Sequence, residues 1–143
     1  MTAAVLDRSV VMEEDLPYSA ALVWRALTEG PLLAEWLMEN DFRPVLGHRF
    51  TFRTAPVAHW NGVVDCVVKA IEPAKRLAFS WESSGVNTLV TFTLTPTPRG
   101  VRLRMEQSGF GPDQDRNLAG ARYGWQTFLG KLRGVAARLA AEG

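Results

Sequence analysis

The chain is poor in residues that carry chemistry on their own. Its 143 residues include one cysteine, Cys66, and two histidines, His48 and His59. A single cysteine excludes an intrachain disulfide and any multi-cysteine zinc site. Neither histidine has further ligands at metal-binding spacing, and no His-Glu-x-x-His-like pattern occurs, so no metal and no cofactor is expected. A Gly-x-Ser-x-Gly elbow, a glycine-rich phosphate loop and a dinucleotide fingerprint are all missing. No apolar run approaches the ~20 residues that cross a bilayer. The first residues lack an apolar run with a cleavage site, so the expectation is a cytoplasmic protein without a membrane span. Net charge is only +1, and no basic stripe is interleaved with aromatics, which argues against a nucleic-acid partner.

Apolar residues are plentiful. They make up 47% of the chain, with five tryptophans and seven phenylalanines. That supply suffices for one packed domain spanning residues 1–143, without disulfides or metals. The clearest pattern lies at the C-terminus, where Leu118, Ala121, Trp125, Phe128, Leu132, Val135 and Leu139 recur at alternating steps of three and four. This spacing predicts a helix of about 25–28 residues with one apolar face, roughly 40 Å long.

Upstream, Val5–Leu16 is predicted as an edge-like strand. Ser19 is a plausible N-cap for a short helix carrying Val23, Trp24 and Leu27 on one face. Gly30 should stop that helix, and Pro31 should start a second with Leu32, Leu33, Trp36 and Leu37 on its apolar side. Phe42–Pro44 reads as a crossing loop. Five further strands are expected at His48–Thr54, Trp60–Ile71, Arg76–Glu82, Thr88–Thr95 and Val101–Gln107, each with one apolar and one polar face. Their connections are short and turn-like, so neighbours should pair antiparallel. One-sided strands imply a sheet with one face in water and the other covered. The long helix is the expected cover.

Several phrases carry a family likeness. They include Val23-Trp24-Arg25-Ala26-Leu27-Thr28, Leu32-Leu33-Ala34-Glu35-Trp36-Leu37 and Leu46-Gly47-His48-Arg49-Phe50. Glu72-Pro73 before Arg76-Leu77, then Ser80-Trp81 and Thr91-Phe92-Thr93-Leu94, extend it. Arg102-Leu103-Arg104-Met105-Glu106-Gln107-Ser108-Gly109-Phe110 and Gly124-Trp125 complete it. In this order they resemble the START-like (SRPBCC) superfamily. Within it they resemble the branch named after the activator of the ninety-kilodalton heat-shock chaperone ATPase. The resemblance implies an α+β helix-grip fold: a curved, antiparallel six-stranded sheet wrapped around the long C-terminal helix, with two short helices after the first strand. Many members of that branch carry histidine where this chain has Gln107. The superfamily includes ligand carriers, cyclases, hydroxylase domains and chaperone activators, so the fold alone does not select a function.

Candidate chemistry is sparse. Cys66 should point inward with Val64 and Val68, with no histidine placed to activate it. Asp65 should face water by parity, and His48 sits at a strand start. Glu39, Asn40 and Asp41 crowd the loop after the second helix, near one end of the sheet. The remaining signal is apolar. Phe52, Trp60, Val64, Phe79, Trp81, Phe92, Met105, Trp125 and Phe128 are assigned to the sheet–helix interior as candidate ligand contacts. Gln107 joins them as an inward amide that needs a partner. Trp60, Phe79, Trp81, Phe92 and Trp125 are expected to border a pocket between helix and sheet. The preferred function is non-enzymatic binding of a small hydrophobic molecule there. A protein-interaction module of the chaperone-activator type is the alternative, and a protein partner or a homodimer stays open. A cyclase- or hydrolase-like enzyme ranks last, because no acid–base pair is visible. No catalytic residue is assigned.

Overall fold

A computed structural model describes residues 8–57 and 59–142. Strand β1, Ser9–Leu16, is followed by helices α1, Ala20–Thr28, and α2, Gly30–Trp36. Then come β2, Glu39–Asn40, β3, Arg49–Arg53, β4, Val63–Glu72, β5, Arg76–Ser83, β6, Val86–Thr97, and β7, Gly100–Ser108. Helix α3, Asp115–Glu142, closes the chain with 28 residues. The strands form one antiparallel sheet in the order β1-β7-β6-β5-β4-β3-β2. This is the helix-grip arrangement that the family resemblance implied, with seven strands in place of six.

The additional strand is β2, which pairs Glu39 with Arg53 and Asn40 with Phe52. Two residues are too few to show an alternating pattern, so this stretch reads as loop from sequence. Side chains hold it in place: Asn40 Nδ2 donates to the carbonyls of Gly30 and Met38, and Asn40 Oδ1 accepts from Phe42 N–H. Just beyond it, Asp41 Oδ1 accepts the Thr51 N–H at 2.8 Å. A carboxylate thus takes over the ladder position where the short strand has ended.

The two short helices share a cap. Ser19 Oγ accepts the Leu22 N–H at the start of α1, as its position suggested. Glu29 ends α1 through its N–H to Arg25, and its carbonyl accepts from Leu33 in α2. Gly30 therefore opens the second helix rather than terminating the first. The carbonyl of Ala26, left without a helical donor at the end of α1, accepts the Trp36 indole N–H at 2.9 Å.

Strand β4 begins later than its alternation suggests. Gly62 has φ +78°, and a β-carbon there would lie 2.2 Å from the Thr54 carbonyl oxygen. The chain turns at this glycine, so Trp60 lies outside the strand, in a loop bridged to Val57. A second irregularity falls between Val68 and Ala70, where a bulge shifts the register against β5. The bulge returns Ile71 to the face of its partner Leu77, which simple parity would deny it.

Helix α3 lies across the concave face. Trp125, Leu129, Leu132, Val135, Ala136 and Leu139 are its buried residues. No buried residue precedes Trp125 in α3. The second half of the helix is therefore packed, while the first three turns only cover the sheet. Ion pairs from the packed half, Arg133–Glu14 and Arg138–Glu35, tie it to β1 and α2. No helix among the described residues is long and apolar enough to cross a membrane.

Candidate functional site

Where the first turns of α3 stand away from the sheet, a cavity of about 410 Å³ remains. Trp81, Val86 and Gln107 form its sheet side, with Trp60 from the loop before β4. Gly120, Ala121, Gly124, Trp125 and Phe128 form its helix side, and Met38 and Phe110 lie at its margins. The exposed residues His59, Ser84 and Asn117 stand at the mouth, so the space opens to solvent. Trp60, Trp81 and Phe128 are half-buried, unlike the fully buried aromatics deeper in the sheet.

Of the ten residues predicted as ligand contacts, five border this cavity: Trp60, Trp81, Gln107, Trp125 and Phe128. Phe52, Val64, Phe79, Phe92 and Met105 do not. Each of these five has no exposed surface and belongs to the continuous core. The pocket border expected at Phe79 and Phe92 is therefore corrected. Their rings pack against other rings: Phe79 against Phe50 at 5.5 Å, Phe92 against Phe79 at 6.0 Å, and Phe92 against Trp36 at 6.1 Å. Strand parity identifies the inward face but not where along that face the helix pulls away.

The helix side shows why the space is there. Asn117, Gly120, Ala121, Gly124 and Phe128 recur at helical spacing along the cavity, and the three central ones, Gly120, Ala121 and Gly124, carry little or no side chain. A β-carbon at Gly120 would meet no atom within 4 Å, and one at Gly124 only the Phe128 ring at 3.8 Å. Neither glycine is required by packing. The signal was present in the sequence as two glycines on the sheet-facing side of a helix, positions where glycine lowers helix stability by ~1 kcal/mol.

A hydrogen-bond relay forms the inner wall. The Trp125 indole N–H donates to Gln107 Oε1 at 2.7 Å, and Gln107 Nε2 donates to Thr88 Oγ1 at 2.9 Å. Thr88 Oγ1 in turn donates to the Trp81 carbonyl at 3.0 Å. Indole nitrogen can only donate, so the orientation of the amide follows from this partner. Both polar residues are buried, Gln107 at 3% exposure and Thr88 at 7%. The relay connects α3 to β7, β6 and β5 across the innermost edge of the cavity. It supplies the partner that the inward amide required, and Thr88, which shares parity with Val90 and Phe92, is the member that the sequence reading missed.

At the mouth, Trp60 Nε1 donates to Ser83 Oγ at 2.8 Å, and Ser83 Oγ donates to the Val63 carbonyl at 2.9 Å. These bonds fix the indole beside the opening. His59, next to it, has φ +71°.

The nucleophile and acid–base candidates lie elsewhere. Cys66 is buried, and burial pushes its thiol up, with Asp65 and Asp41 adding to the effect. That is the opposite of an activated thiolate. Asp65 is exposed, as parity predicted. His48 approaches the Asp41 backbone carbonyl at 3.0 Å and stacks on Phe50. Among the described residues no group of three His, Cys, Asp or Glu side chains could hold a metal ion.

Comparison with known proteins gives a consistent result. The family profile described as "Activator of Hsp90 ATPase homolog 1-like protein" matches residues 17–137. The crystal structure of the protein MLL2253 from Mesorhizobium loti is 47% identical, covers 91% of this chain and 97% of its own, and superposes with a TM-score of 0.84. DynU16, a protein of the dynemicin biosynthetic locus, is 25% identical with a TM-score of 0.76. That alignment covers 89% of this chain and 46% of DynU16. The Aha1 dimer from Colwellia psychrerythraea shares the fold at 20% identity and a TM-score of 0.75, over 87% of this chain and 92% of that one. No curated protein matches the chain.

Proposed function

The chain belongs to the Activator of Hsp90 ATPase homolog 1-like family, and from that premise we propose that it binds a small, mainly apolar molecule non-covalently in the cleft between the sheet and the first turns of α3. The observation that carries the proposal is the cavity of about 410 Å³ lined by three tryptophans and two phenylalanines. A solid interior would have left no such reading. Rigid rings that already stand apart lose little freedom when a ligand arrives. A guest burying about 200 Å² of apolar surface would gain ~5 kcal/mol at ~25 cal/mol per Å², before the cost of association.

The enzymatic reading lacks reacting groups. His59 is the one histidine, carboxylate, lysine or arginine among the lining residues, and general acid–base chemistry requires a second positioned group or a substrate that supplies one. The similarity to a protein of a biosynthetic locus agrees with a small organic guest. The interaction reading rests on the family's description. The exposed large apolar residues, among them Val11, Leu46, Val57 and Tyr123, lie on separate elements of the chain.

The test is titration with the neutral dye Nile red, paired with native mass spectrometry of freshly purified protein. Saturable uptake of one dye per chain, or a retained small molecule that the dye displaces, is the expected result. Absence of both would overturn the binding function. The same spectrum reports whether the chain is a monomer or a homodimer.

A further inference from the structure

We infer that the guest of this cavity is an uncharged molecule bearing an oxygen acceptor, with that oxygen held by the Gln107 amide and the Trp81 indole; the inference rests on the binding function proposed above. The first ground is charge. None of the fifteen lining residues is aspartate, glutamate, lysine or arginine. Arg8 is paired with Asp115 at the start of α3, and Arg116 and Arg122, the arginines nearest in sequence to the helix side, do not line the cavity. His59 stands at the mouth, but a carboxylate or ammonium at the inner wall would give up water with no lining carboxylate, guanidinium or ammonium to replace it, which disfavours ionised guests.

The second ground is hydrogen-bond capacity. Two of the three indole N–H groups on the walls are already used, Trp60 by Ser83 and Trp125 by Gln107. Ser83 both accepts and donates within the protein. The Trp81 indole N–H has no acceptor among the described residues and, on a half-buried side chain, is not sealed from solvent. Gln107 uses one of its two N–H groups, on Thr88, and one of its two oxygen lone pairs, on Trp125. The spare capacity along the inner wall is thus two donors and one acceptor. A ketone, ester or hydroxyl oxygen carries two lone pairs, an acceptor site for each donor. A pure hydrocarbon leaves them unpaired.

A matched series tests this directly. Naphthalene, 2-acetylnaphthalene and 2-naphthoate share one ring system, and the last two differ by a methyl group against a charged oxygen. Calorimetric or fluorescence titration at pH 8 should give the ketone at least tenfold tighter binding than the carboxylate and severalfold tighter than naphthalene. Gln107→Met should erase most of the ketone's advantage over naphthalene. Trp81→Phe, which keeps an aromatic wall and the backbone carbonyl that Thr88 uses, should reduce it even if the Gln107 variant folds poorly. Asn117→Arg, at the exposed rim, should raise affinity for 2-naphthoate. Equal binding of ketone and carboxylate by the natural chain, or an undiminished ketone preference in both wall variants, overturns the inference and leaves the binding function standing. Failure of all three compounds to bind, with Nile red also excluded, removes the binding function itself.

Discussion

Trp125 serves the core and the cavity together. It is only 2% exposed, its ring meets Trp81, Phe92 and Phe128 within 6 Å, and its N–H is spent on Gln107. Sequence position alone suggests a residue on an open wall, with modest loss of stability on truncation. The contacts point to a larger loss. Trp125→Ala should cost about 3–5 kcal/mol, the range of a core tryptophan. Trp125→Phe should cost less but still leave the Gln107 oxygen without its donor, a penalty of about 1–3 kcal/mol for a buried polar group. Urea denaturation of the two variants checks this. A loss below about 1 kcal/mol for Trp125→Ala would mean that the ring is not packed as described.

Helix α3 divides by what its inward face carries. From Trp125 onward large side chains fill the space, and before it Gly120, Ala121 and Gly124 leave the space open. Filling this gap need not disturb the core. Gly124→Leu should raise stability by up to ~1 kcal/mol through helix propensity while lowering Nile red affinity at least tenfold. Gly130→Leu is the control, because Gly130 is exposed and a β-carbon there would meet nothing within 4 Å. It should show the same stability gain with unchanged dye uptake. Equal dye affinity in the two variants would show that the glycines do not set the width of the cleft.

Acid stability is a property of the whole molecule to which two carboxylates contribute visibly. Asp41 is held below the ordinary value of 3.8, chiefly by the Thr51 N–H that it caps. Asp15 is held below it by the Arg102 guanidinium across the β1–β7 pair. A depressed folded pKa means that the unfolded chain takes up protons first. These contributions are therefore complete above the ordinary carboxylate range and are lost as pH falls through the folded values. The denaturation midpoint should decline below about pH 4, and Asp41→Asn should flatten part of that decline while lowering stability near neutral pH. An acid limb unchanged in both Asp41→Asn and Asp15→Asn would contradict the assignment.

The local pattern was sufficient for much of the architecture. Apolar steps of three and four specify α3, and alternation specifies the five strands β3 to β7, because those periods are properties of single elements. The Ser19 cap and the antiparallel turns were legible for the same reason. Strand β2, the bulge at Val68–Ala70 and the late start of β4 at Gly62 were not. Each depends on a contact outside its own element: Asn40 on Gly30, β4 on the register of β5, and Gly62 on the Thr54 carbonyl. The candidate site divides in the same way. The inward aromatics could be read from parity, but whether a ring fills the core, as Phe79 does, or faces open space, as Trp81 does, depends on the gap between two layers. That gap arises where the small residues of α3 cross the end of the sheet, so only the packed tertiary structure decides which side chains have room beside them.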